Sequence, residues 1–398
     1  MTLLHNIRTV AGYEATTLRR SWFFRLFSIS ALAIFTGMNI GVFSPVGDED
    51  WSLVSFTSSI PHINLYLLNI AQSIVVIFLA ADFLKRDKKV DTNEVLYTRS
   101  VSNFEYVMGK TLGILRLFIG LDIIILLIGL VINIISKRMS IDLMAYLWYL
   151  IIICVPTIIF SLGLAFMLMS VIRNQAITFL LLLGLAATNI FWLWFRFGFI
   201  FDYMAFGLPV FRSEVAGFGN TELIINQRLM YFSLGMMLVM ATILLFKRLP
   251  QSKLHMAVSW SFLIIFTLLS GVCGYNTWNL YHNGISAKNL VIETNRQFED
   301  IPVASLTSAF IEFRHKGDSY EADAKLVFVN DTKEDLASYI FSLNPGLNVS
   351  KITSMEGDVS FKRINHIIRI DPLAALPPGS SDSLTISYSG MINEAFCY

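Results

Sequence analysis

The chain has 398 residues, a net charge of +1 and a mean hydropathy of +0.61, with 15% of its residues charged. It is too apolar for a soluble protein of this length, and the charge balance gives no strongly basic surface for nucleic acid. The apolar residues fall in blocks of about 20, the length a helix needs to cross ~30 Å of hydrocarbon, and not in the weaker alternation of a membrane barrel.

The first 22 residues are polar or amphipathic, and no small-x-small cleavage site follows the apolar run Phe23–Phe43, so a removable signal peptide is not expected. Leu3, Ile7, Val10 and Leu18 fall near one helical face, with Arg8, Arg19 and Arg20 available to lipid headgroups. This predicts an interfacial helix over 1–22 lying on the membrane. Spans are expected at 23–43, 63–84, 112–135, 144–170, 175–198, 229–246 and 257–276, all helical because the backbone must satisfy itself in lipid. With the N-terminus inside, the inner segments 1–25, 84–111, 171–174 and 247–256 hold 14 Lys/Arg. The outer loops 44–62, 136–143 and 199–228, with Arg196, hold five. That bias predicts a cytosolic N-terminus and, after seven spans, an extracytoplasmic tail.

Inside the spans, Asp122 stands among Leu121, Ile123, Ile124 and Ile125, where an ionised carboxylate costs on the order of 3 kcal/mol, so it should face the bundle interior or be protonated. Two readings are open for it: a pathway or coupling residue, or an interior carboxyl that is simply hydrogen-bonded. Asn64, Asn69 and Gln72 read as bridges to neighbouring helices, Pro156 as a kink, and Gly109-x-x-x-Gly113 as a point of close helix packing. Trp192, Trp194 and Phe195 read as an interface belt.

Between the second and third spans the chain reads DFLKRDKKVDTNEVLYTRSVSNFEYVMGKTLGILR. Its charge-dense start suits a solvated loop anchored to anionic lipid. Glu94–Ser102 mixes apolar and polar residues at helical spacing, so a short helix there could fit a groove on a cytosolic partner. Glu94, Leu96, Thr98, Arg99, Val101, Ser102, Tyr106, Gly109 and Lys110 resemble the corresponding loop of type-2 ATP-binding-cassette exporter permeases, with Ser100 and Asn103 standing where that family commonly has proline and arginine. The resemblance covers about residues 1–250. It implies that this segment is a coupling helix, with Glu94, Leu96, Arg99, Ser102, Tyr106 and Lys110 as the ATPase-coupling residues, and that the N-terminal helix is an elbow helix. It also implies a bacterial inner membrane, a separate cytosolic ATPase that binds the ATP, and a second permease copy or paralogue. The chain itself carries no G-x-x-x-x-G-K-[ST] phosphate cradle, and no cofactor is expected in it.

The tail from Thr277 changes character. It holds 10 Lys/Arg against 15 Asp/Glu, which argues further against nucleic acid. Residues 277–308 read as a mixed linker without a definite fold, and from Phe310 the pattern alternates as strands do. Strands are expected at 325–330, 339–343, 349–353, 359–362, 366–370 and 384–389, separated by turns such as Asn344-Pro345-Gly346 and Pro377-Pro378-Gly379. The predicted fold class is therefore an α-helical polytopic membrane protein of about seven spans followed by an antiparallel β-sandwich-like domain over 309–398.

Leu326/Asn330/Thr332, Leu343–Leu347 and the close Leu376–Gly390 resemble the N-terminal β domain of gluzincin aminopeptidases of the aminopeptidase-N type. The departure from that family is large. No His is followed by the E-x-x-H that, with a downstream glutamate, holds the catalytic zinc, so neither catalysis nor zinc binding is expected of this chain, and zinc belongs only to a longer parent. The expectation is either a fragment of a permease–aminopeptidase fusion or a permease that keeps only the non-catalytic domain. Three functions follow in order: a permease subunit of an ATP-driven exporter, the membrane anchor of a zinc aminopeptidase, or a membrane sensor whose outer domain binds a ligand.

Overall fold

A computed structural model describes residues 3–43, 56–81, 101–137, 139–213, 217–246, 253–317, 319–355 and 357–396. Two compact units divide the chain, Met1–Trp278 and Asn279–Tyr398. The first is helical: α1 Leu3–Arg20, α2 Trp22–Phe43, α3 Ser59–Ala81, α4 Asn103–Ser136, α5 Leu143–Ile172, α6 Gln175–Leu193 and α7 Thr221–Leu245. A further helix, α8, runs Lys253–Arg296 and so crosses the boundary between the units. All except α1 are long and apolar enough to cross a membrane, seven in number as the sequence predicts.

Local chemistry marks the helix ends. Ser102 caps α4 in a capping box with Glu105, Asp142 caps α5, and Asn174 caps α6. Lys137 and Arg173 adopt the left-handed conformation where α4 and α5 stop. The helices present Phe191, Leu180, Ile134 and Leu127 outward, and bury Asn39, Asn64, Asn69, Gln72, Asp122 and Arg228. Such apolar exposure suits a unit solvated by lipid chains.

Several features differ from those expected, among them the start of α4 at Asn103 where the span was expected from 112. The sixth span begins at Thr221, not 229, because Asn220 starts the helix and Leu223, Ile224 and Gln227 all point into the unit. The expected linker 277–308 is helix as far as Arg296, followed by strand from Ser305. Its loss of apolar character ends the span without ending the helix, since no proline occurs before Pro302. Finally, Pro156 follows a π-type turn, Leu150–Cys154, within a continuous α5.

The first unit also holds a short antiparallel pair, β1 (Arg212–Ser213) and β2 (Gly217–Phe218). In the second unit two antiparallel sheets share a core, confirming the strand pattern. One is ordered β3 (Ser305–Lys316), β4 (Ser319–Val329), β10 (Ser381–Gly390), β6 (Leu347–Ser354), β7 (Gly357–Asp358). The other is β5 (Tyr339–Ser342), β9 (Ile367–Asp371), β8 (Ser360–Ile364). Phe328, Tyr339, Ile352, Ile368, Ile370, Leu384 and Ile386 pack between them.

Candidate functional site

The start of α4 carries three of the residues singled out for ATPase coupling, and α1 lies along it. Gly109 and Gly113 allow the approach: a Cβ at Gly109 would sit 2.6 Å from the Val10 side chain, and one at Gly113 would sit 2.7 Å from the Ala11 carbonyl oxygen. The buried stripe of α1 is Ile7, Ala11, Glu14 and Leu18. Leu3 is exposed and Val10 half-buried, so the expected lipid-facing stripe is turned by its contact with α4. Lys110 Nζ stands 3.6 Å from Glu14 Oε2, both side chains 3% exposed, and 5.0 Å over the Tyr106 ring. Tyr106 in turn stacks on Phe246 just past the end of α7. Asn6 Nδ2 donates to Glu105 Oε1 at 2.9 Å, while Glu105 Oε2 accepts from the Ser102 backbone at 2.7 Å. Asn103 donates to the Phe246 carbonyl at 2.7 Å, so a residue noted only as a departure from a family pattern ties α4 to the end of α7. Ser102, Tyr106 and Lys110 are thus brought together with α1, whereas Glu94, Leu96 and Arg99 lie outside the described residues.

Deeper in the unit lies a second polar assembly. Asp122 is fully buried and accepts from Gln72 Nε2 at 2.5 Å, while its neighbours Ile123 and Ile124 are exposed. Its expected inward placement is correct. Asn64 pairs reciprocally with Asn39 at 2.7 and 2.9 Å, and Asn69 donates to the Met204 carbonyl at 2.7 Å, so the expected bridging roles of these side chains hold.

Arg228 is the main residue that sequence reasoning missed. Counted there as an outer-loop cation, it lies in α7 at 3% exposure. Pro156 has no N–H, so the carbonyl of Ile152 one turn earlier lacks its helical donor. Arg228 Nε supplies that bond at 2.8 Å, and its Nη2 donates to the Ile153 carbonyl at 3.2 Å and to Thr157 Oγ1 at 2.7 Å. Its Nη1 reaches the Tyr203 carbonyl at 3.1 Å and Gln227 Oε1 at 3.4 Å. The guanidinium thereby satisfies a defect in α5 and holds a neighbouring loop at once.

That loop is the stretch 197–210, most of which falls in the expected outer loop 199–228. Asp202, Tyr203, Met204, Ala205, Leu208 and Val210 are instead buried. Its carbonyls are met by side chains from several helices: Phe206 by Tyr66, Met204 by Asn69, Phe201 by Asn189, and Ile200 by Tyr231. Gln227 donates to both Phe199 and Asp202. The Asp202 carboxylate gathers the backbone N–H groups of Phe206, Gly207 and Leu208 at 2.8–3.1 Å. Irregular backbone inside a membrane unit is tolerable only when protein satisfies it in this way. Trp194, expected at the lipid interface, packs on Phe206 and belongs to this assembly, while Trp192 and Phe195 are about half exposed. The available signal for Arg228 was the apolar run Leu223–Ile225, which lengthens the span to include it.

Among the described residues, no three His, Cys, Asp or Glu side chains converge as metal ligands.

No protein-family model matches the chain, and no curated protein matches it. Among solved structures there is a local likeness to an M1 zinc metallopeptidase from Deinococcus radiodurans, at 17% identity and a TM-score of 0.21. A mutant of that enzyme bound to a Tyr-Ser-Ala substrate matches at 16% identity and the same TM-score. The likeness covers 22% of this chain and spans about a fifth, 21%, of those enzymes' length. No activity follows from a likeness of that extent.

Proposed function

We propose that the chain is the membrane-spanning permease subunit of an ATP-driven exporter, driven by a separate ATPase that docks on the loop 82–110. The observation that carries this reading is the joint between α1 and α4. Lys110–Glu14, Asn6–Glu105 and the close approach at Gly109 and Gly113 make the N-terminal helix and the foot of α4 one mechanical piece. A displacement at the end of the loop would then pass into α4 and, through Asn103 and Tyr106, to the end of α7. Two copies of the chain would supply the two halves of a pathway, in a bacterial inner membrane with the N-terminus in the cytosol and the β domain outside.

The test is reconstitution with the ATPase that this reading expects to be encoded beside the chain. Glu94→Lys is expected to abolish the stimulation of ATP hydrolysis in complexes that still assemble. Undiminished stimulation in assembled complexes removes Glu94 from the coupling role.

A further inference from the structure

β3 is a 12-residue strand at the end of its sheet, hydrogen-bonded on one side to β4 and, among the described residues, to no strand on the other. Both of its faces are open: Leu306, Phe310, Ile311 and Phe313 are each between 53% and 68% exposed, and Glu312, Arg314 and His315 are exposed as well. Long, apolar edge strands are templates for further pairing, and proteins that keep them single usually protect them with proline, a mid-strand bulge or charged side chains. Of these β3 carries only charges, and those of both signs, Glu312 against Arg314 and Lys316. Here Ser305–Lys316 contains no proline, and its one irregularity lies between Leu306 and Ser308, near the beginning. The regular remainder, 309–316, is left as an open edge.

The charges on that remainder select the partner. An antiparallel pairing of β3 with the same strand of a second copy, about a two-fold axis through Phe313, sets Glu312 opposite Arg314 twice. It also places Phe313 against Phe313 and Ile311 against His315. Opposite charges directly across a strand pair stabilise it, and like charges destabilise it. A two-fold pairing of identical edges closes on itself, so it consumes the open edge instead of propagating a fibre. We propose that two copies of this chain join through β3, extending each five-stranded sheet into one continuous ten-stranded sheet centred on Phe313.

This arrangement does not depend on the exporter reading, and its test does not measure transport. The full chain in detergent, with Cys397→Ser to remove the remaining thiol outside the predicted spans, is given Phe313→Cys and exposed to a mild oxidant. Facing residues about the axis lie within disulfide reach in either kind of antiparallel pair. The expected product is a covalent species of twice the chain mass. Thr307→Cys, whose partner in this register would be a different residue, should give none. In the Phe313→Cys background, Glu312→Arg alone or Arg314→Glu alone should abolish the cross-link, and the two together should restore it. Folding of each variant is checked by its thermal transition, and these exposed positions should leave it in place. An uncross-linked Phe313→Cys chain, equal cross-linking at Thr307→Cys, indifference to the charge reversals, or cross-linking to a protein of different mass would each overturn the proposal.

Discussion

The two units of the chain are built inside out with respect to each other. In the helical unit, Phe191, Leu180 and Ile134 face outward, and Arg228, Asp202, Asn69 and Gln72 are enclosed. In the sheet unit, Phe328, Ile368 and Ile370 are enclosed, and charges such as Lys351 and Asp358 lie outside. The contrast shows what each unit uses for specificity. Where the surroundings are as apolar as the interior, burial of hydrocarbon does little to distinguish one packing from another, and hydrogen bonds between helices take on that part. Where the surroundings are water, the apolar core is the main driving term.

Three substitutions probe this difference. The largest effect is expected for Arg228→Leu, which leaves an aliphatic side chain but removes the guanidinium that donates to Ile152, Ile153, Tyr203 and Thr157. Ile153 and Tyr203 keep the Thr157 hydroxyl and Thr157 keeps Asn69, so the Ile152 carbonyl is the acceptor left without its donor. That should cost about 1–3 kcal/mol, read as a fall in the thermal transition of the helical unit in detergent. An unchanged transition would mean that the carbonyls find other donors and that polar contacts do not specify this unit.

A smaller effect is expected from Ile370→Val in the sheet unit. Ile370 is fully buried in the shared core, and losing one methylene there should cost about 1 kcal/mol in the unfolding of that unit, with no change in the helical one. Equal sensitivity of the helical unit would break the contrast drawn above.

The smallest effect concerns pH. His366 is buried beside Asn295, its Nε2 lying 2.8 Å from Asn295 Oδ1, while its Nδ1 has no hydrogen-bond partner among the described residues. Burial, and then the nearby Arg363 charge, hold its pKa below the usual histidine value. The unfolded chain therefore binds the proton more readily, and stability of the sheet unit should decline as pH falls below about 6.5. His366→Gln, which can still bond Asn295, should flatten that decline; an unaltered pH profile would assign it to other groups.

Much of this architecture was legible in the residues. The seven apolar blocks, the amphipathic start and the alternating tail each follow from a periodicity that a single segment displays by itself. The inward placement of Asp122 followed from the cost of a carboxylate in hydrocarbon, and the packing at Gly109 and Gly113 from the absence of side chains at that spacing. The site was less legible because its members are remote in sequence. Arg228 is matched to a carbonyl released by Pro156, 72 positions away, and neither residue alone announces the pairing. The stretch 199–228 was expected as an outer loop because it lies between the fifth and sixth apolar runs. The burial of the loop 197–210 depends on donors from Tyr66, Asn69, Asn189 and Tyr231, which no local pattern connects to it.

Sequence alone therefore determined which segments can sit in hydrocarbon, which form strands, and that neither a phosphate cradle nor a zinc-peptidase motif is present, since each depends on composition or spacing within a few turns of chain. Tertiary structure decided where α1 rests, how the carbonyl that Pro156 leaves in α5 finds a donor, which loop is interior, and that β3 pairs on one side only among the described residues. Those outcomes depend on which distant donor meets which acceptor, and that is set only when the segments pack.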